Sequence, residues 1–156
     1  MEAFKNILVA VDFNDTIGEL MGYAESIAQK FGSKIWVVHV AEPSPDFTGY
    51  EVGPQYIRDL KAEEFREEHR QLQAMSKLFL DQNIESEALL IQGSTVQTII
   101  EKVKKLNADL LIVGTHKHGF LFNILSENVS LELLKKADVP FLAIPIEEEK
   151  EEKEEK

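Results

Sequence analysis

The chain contains no cysteine, and this absence removes several classes of function at once. Disulfides, thiol nucleophiles, cysteine-ligated zinc and iron–sulfur clusters are all excluded. The chain also lacks an excess of positive charge, because 17 lysines and arginines stand against 28 aspartates and glutamates, a formal net charge of -11. Such an acidic chain is a poor partner for a nucleic-acid backbone or an anionic lipid surface. We therefore expect neither nucleic acid nor membrane among its partners.

Long apolar runs are missing as well. The run from Ile7 to Val11 is too short for a membrane span, and an acidic residue follows it instead of a small-residue cleavage site. We therefore expect a cytoplasmic location. Of the 156 residues, 44% are hydrophobic and 29% are charged, which fits one globular domain.

Short apolar runs alternate with segments of helical period, which is typical of a parallel sheet covered by helices. The predicted strands are 6–11, 34–41, 84–91, 110–113 and 139–146, and the predicted helices are 16–31, 55–80, 96–106 and 127–136. Segments 42–54 and 114–123 are predicted to be loops, the first because it is rich in proline and glycine. The domain is therefore expected to cover residues 1–146. The acidic tail, residues 147–156, is expected to be disordered.

The last predicted strand, from Val139 to Ile146, contains two prolines, which favours a place at the edge of the sheet. An apolar edge is an aggregation hazard unless something covers it. We expect a homodimer through this strand, because a second copy would cover both edges. The alternative is cover by a neighbouring helix and the acidic tail, whose charge makes it a poor fit for apolar surface. The sequence does not identify other protein partners.

Candidate binding residues follow the first and fourth predicted strands. In an open parallel sheet, ligands bind beyond the carboxyl ends of the strands, where the strand order reverses. If the order is 3-2-1-4-5, the reversal lies next to Asp12 and Gly114. An aspartate at a strand end can bind a ligand or cap the next helix, and both roles stay open for Asp12. His116 and His118 lack a convincing third ligand, so we predict no metal site. His39, inside an apolar strand, is expected to be a hydrogen-bonded core residue.

Three segments of the sequence are distinctive: VAVDFND at the end of the first strand, VVHVAE at the end of the second, and DLLIVGTHKHG at the fourth, followed by ADVPFLAIP. Together they resemble the universal stress protein (UspA) family. The match spans roughly residues 4–146. The resemblance implies an α/β fold: a single Rossmann-like domain of the adenine-nucleotide α-hydrolase-like type. It further implies a five-stranded parallel sheet of order 3-2-1-4-5, helices on both faces, and last strands paired in a dimer.

The resemblance also implies a nucleotide site. Asp12 matches the family's aspartate beside the nucleoside, and Ala10 and Val40 match positions that flank the adenine. Members that bind ATP carry the pattern G-x2-G-x9-G-[ST] after the fourth strand. Its glycines let the backbone approach phosphates, and its final pair opens a helix whose amides hold an anion. The candidate cofactor-binding residues are Ala10, Asp12, Val40, Gly114, His116, Lys117, Gly119, Asn128 and Val129.

This sequence keeps only the first of the four pattern residues. Gly114 is present, but Lys117, Glu127 and Asn128 occupy the other three positions. A carboxylate at Glu127 would use the helix dipole that a phosphate needs and would repel the phosphate. Lys117 can bind a phosphate as a point charge, or it can pair with Glu127 or simply lie in water, and we favour the second interpretation over phosphate binding. We therefore predict that ATP binding is weakened or lost. A switch that binds ATP or AMP through a variant phosphate loop is the alternative.

Enzymes on similar scaffolds need residues that this sequence lacks. A phosphatase of the haloacid-dehalogenase type needs D-x-D after the first strand, whereas two residues separate Asp12 from Asp15. No nucleophile and base lie at a recognisable spacing. We therefore predict a stress-response module that signals or protects by binding, and not an enzyme.

Overall fold

Strands and helices alternate along the chain, as the sequence predicts. The computed structural model describes residues 3–13, 17–41, 55–116 and 127–146. The strands are β1 (Asn6–Ala10), β2 (Lys34–Ala41), β3 (Ser86–Gln92), β4 (Leu110–His116) and β5 (Phe141–Ile146). The helices are α1 (Gly18–Phe31), α2 (Gln55–Asp81), α3 (Thr95–Lys105) and α4 (Glu127–Lys136). The predicted loop 42–54 and the acidic tail 147–156 lie outside the described residues.

The five strands form one parallel sheet in the order β3-β2-β1-β4-β5. The predicted order is therefore confirmed. The central strand β1 pairs with β2 on one side and with β4 on the other, so that Ala10 lies between Val38 and Val113. The strand order reverses between β1 and β4, and β3 and β5 form the two edges of the sheet.

Two hydrophobic layers cover the two faces of the sheet. One layer holds α1 and α2 through buried side chains that include Leu20 and Phe79. The other layer holds α3 and α4 through Ile99 and Leu133. Neighbouring residues of β1 are divided between the layers, because successive side chains of a strand point to opposite faces. The inner strands are therefore apolar on both faces.

Local interactions fix where some elements begin and end. Gly32 adopts a left-handed conformation with φ of 64° and donates its N–H to the carbonyl of Ala28, which ends α1. The carboxylate of Asp109 accepts hydrogen bonds from the backbone N–H groups of Lys5 and Asn6 at 2.8 and 3.0 Å. Asp109 therefore holds the start of β1 beside the start of β4.

Charged side chains flank the edge strand β3. Lys34 of β2 lies 3.3 Å from the Glu85 carboxylate and hydrogen-bonds Glu87, while its ammonium lies 3.9 Å from the centre of the Trp36 ring. Charged side chains at an edge oppose pairing with another strand. The alternation of polar and apolar residues from Ile84 predicts a strand with one solvent-exposed face, and this is confirmed because Glu87 is exposed and Ser86 is buried.

The predicted loop 114–123 was wrong at its start. Gly114 and His116 belong to β4, where they pair with Ile144 and Ile146 of β5. The neighbouring strand supplies backbone partners, so β4 continues through a residue with low strand propensity. The last strand also begins later than predicted, at Phe141 and not at Val139.

Helix α2 is longer than the sheet that it covers. Its 27 residues span about 40 Å, whereas the eight residues of β2 span roughly 26 Å. Leu72 and Phe79 in its second half are buried, but Leu60 is 58% exposed. The spacing of apolar residues in this helix predicts that Leu60 lies on one buried stripe with Leu72 and Phe79, and for Leu60 this prediction is wrong. The first half of α2 therefore extends past the carboxyl edge of the sheet, beyond the strands that the structure describes.

Candidate functional site

The candidate site lies at the carboxyl edge of the sheet, where the strand order reverses. The Val11 N–H donates to the carbonyl of Val38 at 2.9 Å, which extends the pairing of β1 and β2 by one residue. Asp12 follows and is only 2% exposed. Gly114 and His116 lie in the neighbouring strand β4. The structure therefore places three of the predicted site residues, Asp12, Gly114 and His116, at the ends of adjacent strands.

His39 fixes the backbone that precedes Asp12. Its Nδ1 lies 2.7 Å from the Val11 carbonyl, and a carbonyl can only accept, so Nδ1 carries the hydrogen. The Phe13 ring packs on the imidazole with 4.4 Å between ring centroids. The prediction of a hydrogen-bonded core histidine is confirmed. Sequence reasoning missed its position beside the site, and the only available signal was a polar residue near the end of the apolar segment KIWVVHVA.

Three other predicted site residues form what we call the apolar wall: Ala10, Val40 and Val129. All three belong to the hydrophobic layer under α3 and α4. Ala10 and Val40 are buried at 2% and 3% exposure, and Val129 is partly buried. An apolar surface of this kind can pack against the face of a purine base.

Helix α4 begins at Glu127, where the ATP-binding pattern has its third glycine. The helix joins two parallel strands, so it runs against them and presents its first turn at the carboxyl edge. Asn128 lies in the same turn. Ser130 follows, and its buried hydroxyl has no hydrogen-bond partner within the part of the chain that the structure describes. Lys117 and Gly119 lie outside the described residues, so the pairing of Lys117 with Glu127 stays a prediction.

A cleft of about 590 Å³ lies where Phe13 faces the protruding half of α2. Its charged lining residues are Glu63, Glu64, Glu67, Glu68 and Arg70. The Arg70 guanidinium already contacts Glu67 at 3.1 Å. The cleft is therefore strongly acidic, which disfavours a polyanion near this end of the sheet. The sequence hinted at this feature only through the density of glutamates in α2.

Two further properties concern metals and membranes. Within residues 3–13, 17–41, 55–116 and 127–146, no three histidine, aspartate or glutamate side chains lie close enough together to hold a metal ion. The same ranges contain no helix with the length and apolar character needed to cross a membrane.

Comparison with known proteins agrees with this architecture. The model of the universal stress protein family matches residues 3–145. The universal stress protein in QAH/OAS sulfhydrylase 3'region of Thermus aquaticus is 30% identical over 141 residues, which are 90% of this chain and 98% of that protein. A solved structure from this family in Burkholderia pseudomallei has a TM-score of 0.65 at 22% identity, covering 91% of this chain and 96% of that chain. The universal stress protein from Archaeoglobus fulgidus in complex with dAMP has a TM-score of 0.60 at 21% identity, covering 93% and 99%. The chain belongs to the universal stress protein family.

Proposed function

We propose that this chain is a dimeric binding or signalling module of its family, which holds ATP weakly or not at all and performs no catalysis. The single observation that carries the proposal is the start of α4 at Glu127. Three further arguments support it: the charge balance at that helix end, the acidic cleft beside Phe13, and the exposed edge strand β5.

The charge balance at α4 can be put in numbers. The dipole at a helix start stabilises a carboxylate such as Glu127 by typically about 0.3–1 kcal/mol. At about 4 Å and an effective dielectric of about 20, that carboxylate repels each phosphate charge by roughly 4 kcal/mol. Since about 1.4 kcal/mol corresponds to tenfold in affinity, the repulsion weakens ATP binding by roughly a thousandfold. The acidic cleft acts in the same direction through its remaining negative charge, since Glu64 and Glu67 are paired with Lys61 and Arg70.

A nucleotide-binding switch is the second candidate, with ATP or AMP as the ligand. It is favoured by the burial of Asp12 at the carboxyl edge, beside the apolar wall. The dAMP complex of the Archaeoglobus fulgidus protein, whose fold is the same, also supports it. In this version Lys117, Asn128 and the backbone around Gly114 and Gly119 would hold the phosphates in place of the missing glycines.

Titration calorimetry with ATP, AMP and adenosine separates the two candidates. Glu127→Gln removes the charge and keeps the side-chain size, whereas Glu127→Gly restores the family residue. Glu132→Gln is the matched control, because Glu132 is an exposed carboxylate on the same helix. We expect Glu127→Gln to bind ATP roughly 100-fold to 1,000-fold more tightly than the wild type, with a smaller gain for AMP and none for adenosine.

The outcomes are distinct. If the wild type and Glu127→Gln both bind ATP, and bind it equally tightly, the first candidate is wrong and the switch is correct. If Glu132→Gln gives the same gain as Glu127→Gln, the general acidity of the protein is responsible and not the start of α4. If no variant binds any of the three ligands, the nucleotide switch is wrong.

The edge strand β5 favours a dimer, because it has no charged side chains like those that flank β3. Ala143 and Pro145 are exposed on this strand. Helix α4, which leads into β5, exposes Leu131 and Leu134 at 46% and 56%. An antiparallel pairing of β5 with its copy about a two-fold axis would continue the sheet and remove this edge.

Sedimentation equilibrium tests the pairing. We expect a dimer for the wild type and a monomer for Ala143→Arg, because the new charge would be buried without a partner. Gln92→Arg is the matched control on the opposite edge strand, where Gln92 is exposed and the dimer should persist. A dimeric Ala143→Arg variant would place the interface elsewhere, and a monomeric wild type would remove it.

A further inference from the structure

The last turns of α3 and α4 carry five lysines at the amino edge of the sheet, opposite the candidate site. We call them the lysine rim: Lys102, Lys104, Lys105, Lys135 and Lys136. The two helix ends converge there. Lys104 and Asn107 from α3 and its following turn line the same 320 Å³ cleft as Ala137 and Val139, which follow α4.

The lysine rim carries positive charge that the described residues do not fully neutralise. Lys136 lies 3.8 Å from the carboxylate of Glu132, and the other four lysines form no ion pair within the part of the chain that the structure describes. Asp138 lies on the same cleft, and each helix end contributes roughly half a negative charge. An excess of positive charge remains, in a chain whose net charge is -11.

The acidic tail has the chemistry that matches this rim. Residues 147–156 contain seven glutamates and three lysines and no apolar residue. The tail follows Ile146, which ends β5 at the carboxyl edge. The lysine rim of the same protomer lies at the amino edge, roughly 20 Å away along the six residues of β5. The tail would have to turn back along its own protomer to reach it.

A two-fold axis removes this separation. In an antiparallel pair of β5 strands, the partner's strand runs in the opposite direction. The partner's β5 would therefore end beside Phe141 of this protomer, next to Ala137 and Asp138. The partner's tail would leave the sheet directly at this protomer's lysine rim.

We propose that the acidic tail of each protomer lies on the lysine rim of the other. This inference rests on the proposed dimer through β5. Because the dimer already holds the two segments close together, the effective concentration of the tail at the lysine rim is in the range of about a millimolar. The contact between tail and rim contributes to the affinity of the dimer, and it weakens as salt screens the charges.

The absence of cysteine makes the contact directly testable. Two differently tagged chains are co-expressed, one carrying Lys150→Cys in the tail and the other Asn107→Cys beside the lysine rim. A disulfide that links the two differently tagged chains can form only between protomers, so it reports contact across the dimer. The matched control replaces Asn107→Cys by Ser94→Cys, because both residues are exposed and flank the same helix at opposite ends.

We expect the disulfide to form at least about tenfold faster with Asn107→Cys than with Ser94→Cys, and this preference to disappear in about 0.5 M NaCl. Lys104→Glu together with Lys135→Glu should also remove it. Sedimentation of the same chains measures the dimer separately. Equal disulfide rates in an intact dimer would overturn the tail contact and leave the dimer standing, whereas a monomer would overturn both.

Discussion

The hydrogen bond from His39 to Val11 offers a direct test of how the candidate site is held in place. In His39→Leu the side chain keeps a similar size but loses both the donor and the aromatic ring. Because His39 is only 4% exposed and its Nδ1 lies 2.7 Å from the carbonyl, water cannot readily replace the lost donor. The Val11 carbonyl and the neighbouring Asp12 backbone should therefore become less well ordered.

The magnitude follows from two contacts. A buried acceptor that loses its donor costs about 1–3 kcal/mol. The packing of Phe13 on the imidazole, with ring centroids 4.4 Å apart, adds about 0.5–1.5 kcal/mol. We expect His39→Leu to lower the free energy of unfolding by about 2–4 kcal/mol. Each kcal/mol corresponds to roughly 2–4 °C in Tm for a chain of this size.

Urea unfolding at a fixed protomer concentration measures this loss, since association would otherwise change the apparent stability. His69→Leu is the matched control, because His69 is exposed on α2 and its replacement should change stability by less than about 0.5 kcal/mol. Amide hydrogen exchange should show that the loss is centred on the end of β1. Equal stability of the two variants would refute the proposed role of His39.

Three further predictions concern the supporting structure. Phe79→Ala removes a side chain that is 1% exposed and should lower the free energy of unfolding by about 3–5 kcal/mol in urea. Its control, Leu78→Ala, removes a side chain that is 62% exposed and should cost less than about 0.5 kcal/mol. Similar losses in the two variants would contradict the packing of α2. Gly93→Ala, at a backbone φ of 158°, brings a Cβ 2.5 Å from Thr98 Oγ1 and should cost about 1–3 kcal/mol in urea unfolding. A second change, Thr98→Ala, should relieve the part due to the clash and leave the backbone strain, and no relief at all would contradict the clash. Hydrogen bonding and charge from its glutamate partners raise the pKa of Lys34 above 10.5, so its stabilising contribution is complete below that pH and is lost above it. The free energy of unfolding of the wild type should therefore exceed that of Lys34→Met by at most about 1 kcal/mol at about pH 8, and this difference should shrink by about pH 11. A difference that grows with pH would contradict the raised pKa.

The order of elements could be predicted from the sequence because its signals are local. β2 over Lys34–Ala41 and α4 over Glu127–Lys136 have the predicted bounds. In β2 an apolar run is interrupted by few polar residues, and in α4 the apolar residues recur at helical spacing. The strand order came from the family resemblance, since pairing between distant strands leaves no mark in any single segment.

The errors have a shared physical cause, which is that the deciding contact lies far away in the sequence. β4 continues through Gly114 because β5 offers it backbone partners about 30 residues later in the chain. Leu60 is exposed because the sheet ends before α2 does. The acidic cleft likewise needs Phe13 and α2 to meet, and their separation in the sequence hides it.

The candidate site has two halves that respond differently to sequence change. Ala10 and Val40 are core residues and Asp12 is buried, so this half is tied to the stability of the fold whether or not a nucleotide binds. Apart from Gly114 and His116 at the end of β4, the expected phosphate half depends on the start of α4 and on residues outside the strands, where replacements cost the fold little. The presence of Ala10, Asp12 and Val40 is therefore weak evidence for a nucleotide ligand. We expect the charge at Glu127 to be the stronger indication, and it argues against such a ligand, because it would lower the affinity for phosphate without changing the core.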